Sequence, residues 1–456
     1  MSHLELLPIL QEALRELMRR WTEGLPPEAE HASLVPTEPA SELLRELALR
    51  LADSYPFGHP HYAAQMLKPP HPIAWAAYAL AMVVNPNNHA LDGGPATTYL
   101  EREAVAQLAR LVDWPEFLGH LTGGGTVANL EALFIARELH PERAVAVGDN
   151  AHYTHRRMAH LLGLPVAAIP MGVDGTMALE ALEAALRTGR IGTVVATLGT
   201  TGMGALDPIH EILRLARRYG ARVHVDGAYG GYFALLARRN PPEVDPEPFR
   251  ALVEVDSFVV DPHKHGLQPY GCGAVLFRDP SVGRFYRHDS PYTYFTSREL
   301  HLGEVSLECS RAGAAAAALW TTLRAFPLEP DRGMGPVLAA CRRAAQAFYE
   351  KLERSERLRP VLRPQLDIVL FGLRRKGSAS ELSAAHEALF QNASHRRPPV
   401  YVGLYRAPSL WLRMHWPDLE PDAPETLVLR VVLMRPEQEQ WIGSLLRALE
   451  AAAPEL

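Results

Sequence analysis

The sequence predicts an α/β fold on a mainly parallel sheet, with a helical segment before it and a smaller α+β domain after it. Three observations predict this. Between about Gly119 and Phe277 six short apolar runs alternate with helical patterns. After about Gly333 the alternation stops, and longer helices bracket a few strands. The chain has 456 residues, too many for one ordinary core and enough for a large domain with a small one.

Residues 1–55 read as amphipathic helices with a Gly/Pro break at Gly24–Pro27. A loop-rich stretch, HPHYAAQMLKPPHP, leads into the apolar segment Ile73–Val84. Residues 56–330 form the large domain. Its runs are AVAV (144–147), VAAIP (166–170), TVVAT (193–197), RVHV (222–225), SFVV (257–260) and GAVLF (273–277). Continuous apolar character suits strands buried on both faces, with the intervening helices as crossovers. The stretch GAAAAALWTTL (313–323) reads as a packed helix. Residues 331–456 form the small α+β domain: a helix at 337–354, a strand at Leu366–Leu373, a helix at 380–391, strands ending in TLVLRVVLM and a helix at 437–452.

Composition narrows the function. Apolar residues make up 47% and charged residues 21%, as in ordinary globular chains. A formal net charge of −6 argues against a nucleic-acid partner. No apolar run is long enough for a membrane span, and the start lacks the basic–apolar–cleavage pattern of a leader peptide. Cys272, Cys309 and Cys341 cannot make a disulfide framework, so a cytoplasmic location is expected. HYTHRRMAH, with His152, His155 and His160, invites a metal, but there is no HExxH and no cysteine pair, so none is expected.

Three segments carry chemistry. HLTGGGTVANLEALFIAR sets three glycines between a strand and a helix, where backbone N–H groups make a phosphate cradle. It fits neither the dinucleotide nor the nucleoside-triphosphate pattern. RVHVDGAYGGY ends a buried strand in Asp226, the edge at which open α/β sheets bind ligands. SFVVDPHKHGLQPYGCGAVLF places Lys264 in apolar, Gly-rich surroundings. Only four of the 46 basic residues are lysines: Lys68, Lys264, Lys351 and Lys376. Lys351 lies on a charged helix face and Lys376 in a basic loop, which leaves Lys68 as the one competitor. A partly desolvated lysine can form an imine with an aldehyde cofactor. Cradle, strand-end aspartate and lysine together meet the needs of pyridoxal 5′-phosphate (PLP), an electron sink for a carbanion at Cα.

The order and wording of these segments resemble the group II PLP-dependent decarboxylases, which include the aromatic-amino-acid, glutamate and diaminobutyrate decarboxylases. The most specific match is HVDGAYGG followed, 38 residues after Asp226, by Lys264 in PHKH. The resemblance implies a fold-type-I, aspartate-aminotransferase-like PLP enzyme. It further implies a homodimer with active sites at the interface, clasped by the N-terminal helices. It makes Lys264 the Schiff-base lysine, Asp226 the partner of the pyridine nitrogen and His152 the residue stacked on the ring, with Ala228 on the opposite face. It assigns Gly124, Gly125, Thr126, Thr200, Ser257 and His263 to the cofactor. It places Thr98 near the substrate and gives Arg430 a substrate carboxylate, while Arg311 is structural or functional. A loop tyrosine protonates Cα, and here Tyr292 and Tyr294 both qualify; His263 is a further catalytic candidate. Tyr62, Gln65 and Met66 are pocket candidates.

The chain departs from the family at Val127, often Glu; at Gly227, commonly Ala; at Asp261, Asn in several relatives; and at His265, frequently Trp. A carboxylate at 261 beside a phosphate is expected to point away or to be paired. The expected reaction is decarboxylation of an L-amino acid to an amine. The alternatives are an aldehyde lyase or oxidative deaminase with the same cofactor machinery, and a non-catalytic PLP-fold binding protein.

Overall fold

The computed structural model describes residues 2–26, 32–34, 36–287 and 301–454. Its centre is a sheet of β1 (Leu118–Thr122), β2 (Ala144–Gly148), β3 (Val166–Ile169), β4 (Ile191–Thr197), β5 (Arg222–Asp226), β6 (Ser257–Val260) and β7 (Gly273–Phe277). The spatial order is β1-β7-β6-β5-β4-β2-β3. β2 to β6 are mutually parallel, whereas β7 is antiparallel to both β6 and β1. Segment 261–272 holds turns and no helix that could carry the chain back across the sheet, so β7 returns beside β6.

The leading helices are α1 (His3–Trp21), α2 (Ala40–Leu51), α3 (Pro72–Val84) and α4 (Pro95–Ala109). α5 (Gly125–Leu139) and α6 (Thr154–Leu161) follow β1 and β2. α1 opens on a capping box in which Ser2 and Glu5 satisfy each other's backbone N–H. α2 buries none of its residues. Helix Gly313–Ala325 packs on α3 and α4. Neighbouring residues of β6 and β7 face opposite ways. Val259, Val275 and Phe277 join the cluster under α5, while Phe258, Val260, Ala274 and Leu276 join the core of the other face. Apolar partners on both faces explain the unbroken apolar runs.

The C-terminal part is a four-stranded antiparallel sheet, in spatial order Gly403–Pro408, Glu425–Val432, Ile368–Leu373, Leu358–Pro360. Helices Met334–Arg354, Ala379–His395 and Ile442–Ala452 accompany it. The last expected helix starts as a 3-10 turn over Pro436–Trp441. Leu366, Ile368, Val432 and Met434 belong to the main core, so the two sheets share an interior. Among the described residues no helix is long and apolar enough to cross a membrane.

Candidate active site

β1, β4, β5 and β6 end on one edge of the sheet, and the loops there enclose a cavity of about 320 Å³. This is the edge at which open α/β sheets hold ligands. Behind β1, Gly124 caps α5 with φ 140°, a conformation that side chains rarely adopt, and a Cβ there would lie 3.1 Å from His263. No side chain caps α5, so the N–H groups of its first turn face the cavity end as a cradle for an anion. Thr126 lines the cavity on the same turn. Glu308 accepts a hydrogen bond from the Gly123 N–H at 2.8 Å.

Asp226 closes β5 and is buried. Its Oδ2 accepts from His155 Nε2 at 2.9 Å and its Oδ1 from the Ala228 N–H at 3.1 Å. Burial alone would raise this carboxyl, but the hydrogen bond and charge of His155, with the Lys264 ammonium, reverse the effect and hold it below the ordinary carboxylate range. Asp226 is thus a fixed anion. His152 lines the cavity just before α6, and its Nδ1 accepts from the Thr154 N–H at 3.2 Å. Burial lowers its affinity for a proton, so it is a neutral ring near pH 7.

Lys264 follows β6 and is the only lysine in the cavity wall. Its Nζ lies 3.1 Å from Asp261 Oδ2, and His263 Nε2 lies 3.5 Å from the same oxygen. Asp261 is therefore paired, as one of the two expectations had it, but it lines the cavity and does not point away. Lys68 is buried, outside the cavity wall, and donates to the Met434 carbonyl at 3.1 Å. Tyr229, on the wall near Ala228, donates to Asp367 Oδ1 at 2.7 Å. His265 Nε2 lies 3.3 Å from the other oxygen of Asp367, near enough for attraction but poorly aligned for a hydrogen bond.

These walls fit PLP: an uncapped helix start for a phosphate, an anion for a ring nitrogen, an amine for an aldehyde, and a flat histidine with a small alanine for the ring. Residues 27–374 match the pattern described as the pyridoxal-dependent decarboxylase conserved domain. The chain belongs to the pyridoxal-dependent decarboxylase family. Its cofactor is PLP, and it is a carboxy-lyase of the fold-type-I class. The decarboxylase is 28% identical to the L-tyrosine decarboxylase of Enterococcus faecium, over 79% of this chain and 77% of that one. It is 30% identical to a probable L-tyrosine/L-aspartate decarboxylase of Methanocella arvoryzae, over 74% and 87%. It shares the fold of mouse CSAD, with a TM-score of 0.80 at 21% identity, covering 98% of this chain and 99% of the other.

In the decarboxylase, several residues carried over from the resemblance lie off the cavity wall. Thr200 is buried off the wall, its Oγ1 accepting from the Ala205 N–H at 3.0 Å, and its neighbour Thr201 lines the wall instead. Thr98 is buried within α4. Arg430 is buried behind the wall, with Nε and Nη2 unpartnered among the described residues. Tyr62, Gln65 and Met66 are also absent from the wall. Arg311 binds Glu101 at 2.9 Å and the Leu121 carbonyl, bracing β1 beneath the glycine turn. Tyr292 and Tyr294 lie outside the described residues.

Ser257 is held away by a relay. Asn129 Nδ2 donates to the Gly125 carbonyl at 2.8 Å, so its Oδ1 accepts from His224 Nε2 at 2.9 Å. His224 Nδ1 must then accept from the Ser257 hydroxyl, also at 2.9 Å. Burial pushes His224 down to about 3 from 6.5. Above pH 6.5 its contribution to stability is therefore complete. As pH falls from 6.5 toward 3, the unfolded chain takes a proton that the folded one refuses, and stability drops by up to about 1.4 kcal/mol per pH unit. Thermal melts from pH 7 to 4 should show a shallower acid slope in His224→Asn than in the wild type; equal slopes would place the loss elsewhere.

Sequence reasoning missed His155. Three residues after His152, it reads as part of a histidine-rich helix start, and only the approach of α6 to the end of β5 makes it the partner of Asp226.

Proposed function

We propose that this decarboxylase removes the α-carboxylate of an L-amino acid with a neutral aromatic side chain, of the L-tyrosine class, releasing carbon dioxide and the amine. The observation that carries the reading is the charge of the cavity wall. Asp226, Asp261 and Lys264 are its charged residues among those described, and the lysine is already matched to Asp261. A distal carboxylate would find no unpaired lysine or arginine among the described wall residues. Aromatic surface is present instead: Tyr153 lines the wall with its ring 4.3 Å from that of His152, and Tyr270 lies 4.7 Å from His263. The relatives named for L-tyrosine support the same class.

The bound cofactor supplies the electron sink for the carbanion left at Cα. Lys264, on the cavity wall, would hold the cofactor through its aldehyde. Asp226, kept anionic by His155 and the Ala228 N–H, would keep a proton on the ring nitrogen of the bound cofactor. His152 and Ala228, both on the cavity wall, would fix the ring plane. Cα needs a proton once the carboxylate is gone, and Tyr292 or Tyr294 would supply it, with His263 nearby.

Mass spectrometry of products from the PLP-loaded protein, given L-tyrosine or L-aspartate with and without oxygen, tests this. Tyramine under both atmospheres is expected. β-Alanine from L-aspartate without tyramine would overturn the substrate class, and an aldehyde formed only in air would move the reaction to the oxidative branch.

The working unit is a homodimer in this reading. On α2, Leu43, Leu44, Leu47 and Leu51 share one helix face and are all exposed, a stripe of apolar surface that a second subunit would cover. Leu44→Glu combined with Leu47→Glu should shift sedimentation from dimer to monomer; an unchanged dimer would place the interface elsewhere.

A further inference from the structure

Asp261 occupies the place where an anion-binding turn tolerates a carboxylate least. Its side chain is 2% exposed and lines the cavity. It is wedged between two glycines: a Cβ on Gly125 would lie 2.6 Å from Oδ2, and one on Gly273 would lie 2.9 Å from Oδ1. The carboxylate therefore rests on the first residue of α5, beside the N–H groups that suit the cofactor phosphate. Two anions share one cradle. Lys264, at 3.1 Å, balances Asp261, and bonding to the cofactor's aldehyde takes Nζ away from that duty.

The other groups around Asp261 leave few places for a compensating charge. From the strands and turns packed on it come Tyr232, Tyr270 and the Cys272 thiol, all raised by burial and therefore neutral. His152 faces it from before α6, with Nδ1 engaged by the Thr154 N–H. Glu308, at the Gly123 amide, adds a further negative charge to the turn. His263 remains, with Nε2 at 3.5 Å from Oδ2 and Nδ1 unpartnered, and so does Asp261 itself, whose Oδ1 has no hydrogen-bond partner among the described residues.

We propose that the Asp261–His263 pair takes up one proton when the cofactor phosphate enters the cradle, so that capture of PLP is proton-linked. The phosphate then meets a neutralised pair instead of a bare carboxylate. The sign follows from linkage: the complex holds one more proton than its separated parts, so affinity rises as pH falls.

The test compares PLP with pyridoxal, which forms the same bond to Lys264 but carries no phosphate. Dissociation constants are read by absorbance titration between pH 8 and 7, above the second ionisation of a phosphate at about 6. In the wild type the ratio of the pyridoxal constant to the PLP constant should rise by about tenfold per unit fall in pH. In Asp261→Asn the ratio should be high already at pH 8 and flat. A flat ratio in the wild type, or the same slope in the variant, overturns the proposal. Should the variant not fold, calorimetry of the wild type in two buffers of different ionisation enthalpy counts the protons directly. About one taken up with PLP and none with pyridoxal is expected; equal counts for the two overturn it.

Discussion

Lys264→Ala is expected to lower amine release by at least about 10³-fold, because the lysine is the amine that would hold the cofactor's aldehyde and no other lysine lines the cavity wall. The chain has four lysines. Lys351 and Lys376 are exposed and outside the cavity wall. Lys68 is buried, and its Nζ is spent on the Met434 carbonyl at 3.1 Å. Burial also lowers its affinity for a proton, which would make it a capable nucleophile if an aldehyde could reach it, but it does not line the cavity. Borohydride reduction of the loaded protein followed by peptide mass mapping should find the cofactor on Lys264 alone. Lys68→Ala is the control and should keep the modification at 264. Retention of turnover in Lys264→Ala would sink the assignment.

Asp226→Asn is expected to cost about 10² to 10³ in turnover, the scale of losing one fixed charge aimed at a developing one in a dry site. The substitution keeps the shape of the side chain and an oxygen for the Ala228 N–H. It removes the charge and sets an amide N–H₂ against His155 Nε2, at present 2.9 Å from the carboxylate. The ring nitrogen would then have no anion to keep its proton. The loss should fall on kcat more than on KM, since the charge acts on the electron sink and not on the substrate. A fall confined to KM would reassign Asp226 to substrate binding.

The strands were legible because each is buried on both faces, and such runs announce themselves by unbroken apolar character. The direction of β7 was not, since GAVLF would look the same running either way. Lys264, Asp226, His152 and the glycine turn could be read because each lies in a distinctive segment at a strand end. The contacts of Thr200 and Ser257 could not be read. Each hydroxyl is claimed by a local partner, the Ala205 N–H and His224, and only the folded chain shows which partner wins. His155 was hidden for the converse reason: its partner is distant in sequence and close in space.

The carboxylate of Asp367 is wholly buried and is shared by Tyr229 of the cavity wall and His265 of the lysine loop, while its residue immediately precedes strand Ile368–Leu373 of the C-terminal sheet. Peeling that sheet away would break the hydrogen bond from the Tyr229 hydroxyl to a charged acceptor, about 1.5 to 3 kcal/mol, and would open the interior that the two sheets share. The seam near residue 330 that shows in the sequence is thus no line of weakness. Heat or denaturant should find one cooperative unit, with the catalytic edge surviving for as long as the C-terminal sheet does and no longer.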